Sequence, residues 1–168
     1  MVFWMHADFQ WKPRNFWRGW NAMEIRRMQE GDLEQVVALE KAIFSEPWSR
    51  KGFEETYQKK ENCYLVVEEG GEILAYCGFW SVLDEADICN VAVRRDARRR
   101  GLAKAMLKEL MEEGRKLGVT AFTLEVRVGN MPAIALYRKL GFESAGVRPG
   151  FYTKPKEDAL IMWKMQKG

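Results

Sequence analysis

The sequence predicts a single α/β domain in which helices cover one mixed β-sheet. Its 168 residues match the length of one domain, which usually has about 100 to 200 residues. With 47% hydrophobic and 30% charged residues, the chain has enough apolar material for a core and too much for a disordered protein. Predicted strands gather in the first half and then alternate with helices, an order typical of one mixed sheet covered by helices.

The first predicted elements are one strand and two helices. Residues 24–28 (EIRRM) form a short candidate strand. Apolar side chains then recur near helical spacing through residues 31–44, with Asp32 as the predicted N-cap. Ser49 is the predicted N-cap of a second, short helix that ends near Tyr57.

A predicted hairpin comes next. Residues 63–80 contain two apolar runs joined by Gly70 and Gly71, the strongest short-range hairpin signal in the chain. Residues 86–93 follow as a third strand of the same group. We therefore expect these three strands to be neighbours in the sheet.

Helix and strand signals alternate through the second half. Residues 100–117 form the clearest amphipathic helix, whose predicted apolar face contains Ala103, Met106, Leu107, Leu110 and Leu117. The other predicted elements are a strand at 121–128, a helix over Met131–Leu140 that Gly141 ends, and strands at 142–147 and 158–165.

Cysteine usage and hydropathy favour a cytoplasmic protein. Cys63, Cys77 and Cys89 are odd in number, widely spaced and placed in predicted strands, so we expect reduced thiols. No run reaches the roughly 18 apolar residues that a membrane span needs, and the N-terminus lacks a signal-peptide pattern. We expect neither export nor a membrane partner.

The residue inventory disfavours several reaction classes. His6 is the only histidine and lies in the N-terminal segment, which argues against a Ser-His or Cys-His nucleophile pair in the domain. The chain has neither CxxC nor HExxH, so we expect no metal site. It also lacks GxxxxGK[ST] and GxGxxG, which leaves a P-loop or a dinucleotide fold without support.

The first 22 residues differ from the rest of the chain. They contain four of the seven tryptophans and three basic side chains against one acidic side chain. Because the formal net charge of the whole chain is only +3, the remaining residues are nearly neutral, which disfavours a polycationic nucleic-acid binder. We expect that nucleic acid is not a required partner.

The clearest chemical motif is VAVRRDARRRGLAKAML, residues 91–107. An apolar strand is followed by five arginines within seven residues, then by Gly101 and an amphipathic helix. A helix N-terminus presents unpaired N–H groups and partial positive charge, glycine permits close backbone approach, and arginine adds charge-assisted hydrogen bonds. This pattern indicates a phosphate site; a solvated basic turn and a nucleic-acid contact remain alternatives.

A second motif is TLEVRVGNMPAIALYRKLGF, residues 123–142. In its strand, Glu125 alternates with apolar residues of the other face, and a carboxylate in such a strand is costly unless it is partnered or functional. From the pattern alone, a surface pair between Glu125 and Arg127 is the simpler interpretation. Tyr137 could likewise be an ordinary half-buried helix aromatic.

Taken together, the two motifs resemble the GCN5-related N-acetyltransferase (GNAT) superfamily. Arg98, Gly101 and Ala103 match the signature positions of its acetyl-coenzyme A motif, Q/R-x-x-G-x-G/A. The segments SEPWS, LDEADICNVAV, LEVRVGN, AIALYRKLGF and FYTKPKEDALIM resemble its RimI type, which acetylates the N-terminal alanine of a ribosomal protein. The similarity extends from about Met23 to Met165.

The resemblance implies a splayed, mixed sheet of about six to seven strands flanked by about four helices. It implies acetyl-coenzyme A (acetyl-CoA) as co-substrate, with pantetheine along the third strand of the group and pyrophosphate at the following helix start. The cofactor-binding residues implied in this way are Val91, Ala92, Val93, Arg98, Arg99, Arg100, Gly101, Leu102, Ala103, Lys104 and Asn130.

The resemblance also assigns the reaction. Glu125 matches a general base and Tyr137 a general acid, and Trp48 and Tyr152 fall on the acceptor side. The implied reaction is direct acetyl transfer to a protein N-terminus in a ternary complex. The alternatives are an acetyltransferase for a small amine or a lysine side chain and, less favoured, a non-catalytic module that binds acyl-CoA or RNA.

The resemblance begins near Met23, so we expect a catalytic domain over residues 23–168 and a Trp-rich extension over residues 1–22. The preferred interpretation of the extension is an over-long start, with Met23 as the natural one. The alternative is an aromatic, basic arm that docks on the domain or on a partner.

Overall fold

The computed structural model describes residues 14–15 and 22–166. Its eight strands form one sheet in the order β1-β2-β3-β4-β5-β6-β8-β7. The strands are β1 (Arg14–Asn15), β2 (Met23–Arg27), β3 (Cys63–Glu69), β4 (Glu72–Val82), β5 (Glu85–Val93), β6 (Ala121–Arg127), β7 (Glu143–Thr153) and β8 (Lys156–Met165). The α-helices are α1 (Leu33–Ile43), α2 (Arg50–Tyr57), α3 (Leu102–Lys116) and α4 (Met131–Lys139).

The predicted mixed sheet and four helices are confirmed, with the two-residue β1 as an addition at one edge. All neighbouring strands are antiparallel except β5 and β6, which run parallel. Parallel neighbours need a long crossover connection, and α3 provides it. The remainder of the predicted extension, residues 1–13 and 16–21, lies outside the described residues.

Two apolar cores cover the two faces of the sheet. The core beneath α3 and α4 includes Met106, Leu110, Phe122 and Leu124. The core beneath α1 and α2 includes Leu33, Val36, Phe53, Tyr64 and Tyr76. The sheet is therefore the middle of three layers, and side chains that alternate along a strand point into different layers.

A β-bulge at Cys89 changes this alternation within β5. Gly78 of β4 pairs with Asn90 and Phe79 pairs with Ile88, so Cys89 is the extra residue. Ile88 packs in the core beneath α3, and Val91 packs against that same core three residues later. Because bulges bend a strand and increase its twist, this one turns the end of β5 away from the regular sheet.

Local predictions near the helix ends are confirmed in part. Ser49 caps α2 by accepting a hydrogen bond from the Gly52 N–H. Asp32 is not a side-chain cap of α1, because its carboxylate binds the Arg26 guanidinium and the Gln29 N–H instead. Leu117 does not belong to the apolar face of α3, since it lies beyond the helix and is 43% exposed.

The turn glycines and the cysteines behave as predicted. Gly70 and Gly71 have φ values of 61° and 84°, and they join β3 to β4 in a tight hairpin. Cys63, Cys77 and Cys89 are free thiols. Among the described residues, no helix is long and apolar enough to cross a membrane.

Candidate active site

Strands β5 and β6 separate part-way along their length and leave a wedge-shaped gap in the sheet. They pair only between Glu85–Asp87 and Ala121–Thr123. Beyond this point, residues 88–93 pair with β4 alone, while the end of β6 pairs with β8. One edge of residues 91–93 therefore faces the gap with backbone groups that no neighbouring strand satisfies. The residues predicted to lie along pantetheine are at this edge.

The N-terminus of α3, residues 101–104, lies after β5 and is a candidate anion site, called the anion cradle below. Gly101 is the N-cap residue, in a left-handed conformation (φ 76°), and it offers no side chain to cap the helix. The first helical hydrogen bond joins the Ala105 N–H to the Gly101 carbonyl, so the N–H groups of Leu102, Ala103 and Lys104 have no partner in the described structure. Unpaired N–H groups and the helix dipole together favour a bound anion.

The three predicted phosphate arginines are not equivalent in the free protein. Arg98 Nε donates to the Val93 carbonyl at 3.3 Å, which ties the loop to β5. Arg100 makes a bidentate pair with Glu69 at 2.8 and 3.1 Å. Arg99 is exposed and has a left-handed backbone (φ 63°), a costly conformation for a residue other than glycine. Arg99 is thus the most available of the three for a ligand.

We expect the single changes Arg98→Ala, Arg99→Ala and Arg100→Ala to weaken coenzyme A binding modestly, with Arg99→Ala the largest. The triple change should raise the coenzyme A Kd by about 10- to 1000-fold, because each charge-assisted hydrogen bond contributes roughly 1.5 to 3 kcal/mol before compensation by its neighbours. Calorimetric titration of each variant with coenzyme A measures this effect. An unchanged Kd in the triple variant contradicts the pyrophosphate assignment.

Glu125 lies on β6 where the strands have parted, on the face opposite the α3 core. Its carboxylate is 3.2 Å from Arg148 of β7 and is about one-fifth exposed. Burial raises the pKa of Glu125, nearby Asp87 raises this pKa further, and Arg148 lowers it. Arg127 pairs with Glu157 at 3.3 Å instead, so the interpretation of a Glu125–Arg127 surface pair is wrong.

Replacing Arg148 with glutamine should shift the pH dependence of catalysis. Arg148 lowers the pKa of Glu125, so its removal raises that pKa. A general base acts only when it is deprotonated, so the acid limb of the kcat/KM profile should move to higher pH. Rates measured across pH with one acceptor test this expectation, because ionisation of the acceptor is common to both proteins. Arg138→Gln, an exposed charge removed from α4, is the control; an equal shift in that variant contradicts the local effect.

Tyr137 lies in α4, and Asn130 is the N-cap of that helix. Tyr137 is buried in the core beneath α3 and α4, with its ring edge-on to Phe142. Its hydroxyl makes no hydrogen bond within the described structure, and burial raises its pKa, so the phenol keeps its proton at neutral pH. Asn130 caps the helix by accepting from the Ala133 N–H at 3.3 Å, which leaves its amide N–H groups for a ligand.

Aromatic side chains border the other side of the gap. Trp48, in the loop between α1 and α2, lies edge-on to Trp80 of β4, with ring centroids 6.2 Å apart. Tyr152 of β7 lies beneath the Arg127 guanidinium, 4.2 Å from ring centroid to Cζ. Burial raises the pKa of Tyr152, nearby Arg127 lowers it, and nearby Glu125 raises it. The predicted acceptor residues Trp48 and Tyr152 thus flank this region from two different segments.

A family model matches this architecture along most of its length. The model of the Acetyltransferase (GNAT) family covers residues 33–142, more than half of the chain. The chain belongs to the GNAT family. GNAT enzymes use acetyl-CoA. The open edge of β5 and the unpaired N–H groups at the start of α3 present the backbone hydrogen-bond donors that were predicted to hold it.

Individual relatives also point to an N-acetyltransferase. The ribosomal protein bS18-alanine N-acetyltransferase of Escherichia coli K12 is 38% identical over 140 residues, covering 82% of this chain and 94% of that protein. The crystal structure of the Escherichia coli ribosomal-protein-S18-alanine N-acetyltransferase gives a TM-score of 0.79 at 36% identity and covers 87% and 96% of the two chains. The protein is an acetyl-CoA-dependent N-acetyltransferase, and its predicted resemblance to the RimI type is confirmed.

A more distant solved structure has the same fold. The Salmonella typhimurium protein yncA, solved with its cofactor acetyl-CoA, gives a TM-score of 0.76 at 21% identity over 87% of this chain and 95% of that one.

No group of His, Cys, Asp and Glu among the described residues could hold a metal ion.

The sequence motifs did not reveal a buried polar cluster behind the acceptor side of this GNAT site. Glu40 of α1 is 1% exposed and accepts hydrogen bonds from the Trp48 N–H at 2.9 Å, from the Asn90 amide and from the Tyr76 hydroxyl. Burial raises its pKa to about 7. One signal was available, because Glu40 falls at helical spacing within an otherwise apolar stripe that includes Val36. The cluster joins the Trp48 loop to β5.

Proposed function

We propose that the protein transfers an acetyl group from acetyl-CoA to the α-amino group of a protein N-terminus, as a RimI-type enzyme whose acceptor is the N-terminal alanine of a ribosomal protein of the bS18 kind. The observation that carries this proposal is a partly buried carboxylate, Glu125, at the open end of the gap between β5 and β6. The Escherichia coli relatives named for this activity support it, because the similarity covers both sides of the gap. A ribosomal acceptor would place the reaction in the cytoplasm.

The chemistry suits an α-amino acceptor. An attacking amine must be neutral, and an α-amino group has a pKa near 7.7 to 8.0, against about 10.4 for a lysine. At neutral pH, deprotonating the lysine therefore costs roughly 3.5 kcal/mol more. One carboxylate whose pKa is raised by burial is a sufficient base for the α-amine, acting directly or through a water.

The groups of the proposed site account for each bond and each proton in the transfer step. The amine nitrogen forms a bond to the thioester carbonyl carbon, Glu125 accepts the amine proton, and the carbon–sulfur bond then breaks with its electron pair on sulfur. The backbone N–H groups of residues 91–93 that face the gap would polarise the carbonyl oxygen as negative charge develops there. Tyr137 holds its proton at neutral pH and would donate it to the leaving sulfur.

The cysteines favour direct acetyl transfer over a mechanism that passes through an acetyl-enzyme. Of the three thiols, only Cys89 is not fully buried, and it interacts with the Tyr64 hydroxyl and the Gly78 carbonyl. Burial raises the pKa of Cys89 to about 12, so its reactive thiolate is scarce at neutral pH. The acetyl group would pass from donor to acceptor without a protein intermediate, inside a catalytic domain that we place at residues 23–168.

A peptide panel tests the acceptor. The protein is incubated with acetyl-CoA and with free N-terminal Ala or Ser peptides, N-terminally blocked peptides with an internal lysine, or polyamines, and the products are identified by mass spectrometry. We expect acetylation of the α-amino group of the Ala peptides. Modification confined to blocked lysine peptides or polyamines would overturn the N-terminal proposal and support the alternative acceptor class.

A further inference from the structure

Asp87 of β5 is a second carboxylate on the acceptor side, and it takes no part in the proposed transfer step. It pairs in parallel register with Thr123 of β6, and Glu125 follows two residues later on the same face of the sheet. Trp80 Nε1 donates to Asp87 Oδ2 at 3.1 Å. The other oxygen, Asp87 Oδ1, is buried and accepts no hydrogen bond within the described structure.

The charges around Asp87 leave one negative charge uncompensated. Arg148 is 3.2 Å from Glu125. Burial raises the pKa of Asp87, and the hydrogen bond from Trp80 and the charge of Arg148 lower it. Arg127 lies on the same face but pairs with Glu157. Among the described residues, Glu125 is therefore paired with Arg148, whereas Asp87 forms no salt bridge. This arrangement suits a ligand that brings a single positive charge.

Asp87 also borders open space. It lines a cleft of about 540 Å³ together with Trp80, Thr123 and residues 82–86, which comprise the β4–β5 turn and the adjoining strand ends. Val82 and Leu83 give this cleft apolar walls, with exposed fractions of 77% and 95%. A desolvated carboxylate oxygen without a partner costs free energy, and a ligand with a hydrogen-bond donor would recover that cost.

We propose that Asp87 binds the ammonium form of the acceptor amine and so determines specificity for cationic acceptors. The ammonium donates to Asp87 Oδ1, which holds the nitrogen beside Glu125, and Glu125 then takes the proton that frees the nitrogen lone pair. Asp87 forms and breaks no covalent bond. The inference deepens the proposed function, on which it rests for the presence of an amine acceptor.

The test compares an acceptor with its desamino analogue, in which hydrogen replaces the reacting amino group. The acceptor is whichever amine the peptide panel shows to be acetylated, and binding to the coenzyme A complex is measured by calorimetry. We expect Asp87→Asn to raise the Kd of the amine by about 10- to 100-fold, the range of a lost charge-assisted hydrogen bond. The Kd of the desamino analogue should change less than about 2-fold, since it makes no such bond.

Controls separate this effect from damage to the fold. Glu143→Gln removes an exposed carboxylate at the start of β7, outside this cleft, and should leave both Kd values unchanged. The coenzyme A Kd and the melting temperature of Asp87→Asn report whether the domain is intact, and Asp87→Ser gives the same comparison if the asparagine variant does not fold. Equal losses for amine and desamino ligand, or no loss for either, overturn the role of Asp87. Lack of Ala-peptide acetylation by the unaltered protein instead contradicts the proposed function.

Discussion

Replacing Glu125 with glutamine is expected to lower kcat by about 10² to 10⁴, the usual contribution of a positioned general base. Glutamine keeps the shape of the side chain but cannot accept the amine proton. The coenzyme A Kd should be unchanged, because Glu125 lies on β6 and the anion cradle lies at the start of α3. Steady-state rates at saturating substrates measure the effect.

The pH dependence of this variant provides a second readout. Without the carboxylate, the reaction depends on acceptor that is already neutral, so the rate should rise about tenfold per pH unit up to the amine pKa near 7.7 to 8.0. Glu143→Gln is a matched control, since Glu143 is an exposed carboxylate at the start of β7. Unaltered turnover in Glu125→Gln would remove the assigned role.

Replacing Tyr137 with phenylalanine is expected to lower kcat by a similar factor, about 10² to 10⁴, through loss of the proton donor to sulfur. The variant deletes one oxygen and keeps the ring that packs edge-on against Phe142. Because the hydroxyl makes no hydrogen bond within the described structure, the free energy of unfolding should change by less than about 1 kcal/mol. A large loss of rate with little loss of stability would therefore identify a chemical role.

Two measurements accompany this variant. Thermal or denaturant unfolding reports its stability, and calorimetry with coenzyme A reports whether the donor still binds. Tyr57→Phe is the control, because Tyr57 ends α2 and its hydroxyl contacts only Gln58 among the described residues. A rate equal to that of the unaltered protein contradicts the general-acid assignment, and a proportionate loss of stability points to packing instead.

Much of the donor side could be predicted from the sequence because it is local. The motif is contiguous: an apolar strand, the arginines, Gly101 and an amphipathic helix follow one another. The conformation of each part depends mainly on its own residues, so the sequence can predict it. The glycine hairpin at residues 70–71 and the Ser49 cap are likewise short-range effects. The family resemblance used these same contiguous segments, and the GNAT model match confirms it.

The acceptor side was less predictable because its contacts join distant segments. Arg148 reaches Glu125 from a different strand, and the Trp48 N–H is held by Glu40, whose carboxylate also binds Asn90 of β5. A one-residue bulge at Cys89 reverses the alternation of β5, so a strict two-residue pattern would assign the residues that follow to the wrong face.

The sequence by itself predicted the order of elements and indicated an anion site before α3, since periodicity and backbone preference act over a few residues. Only the tertiary structure decided which charges meet. It separated Glu125 from Arg127, paired Glu125 with Arg148, and left one buried oxygen of Asp87 without a partner among the described residues. Strand register and the parting of β5 from β6, rather than distance along the sequence, bring these side chains together.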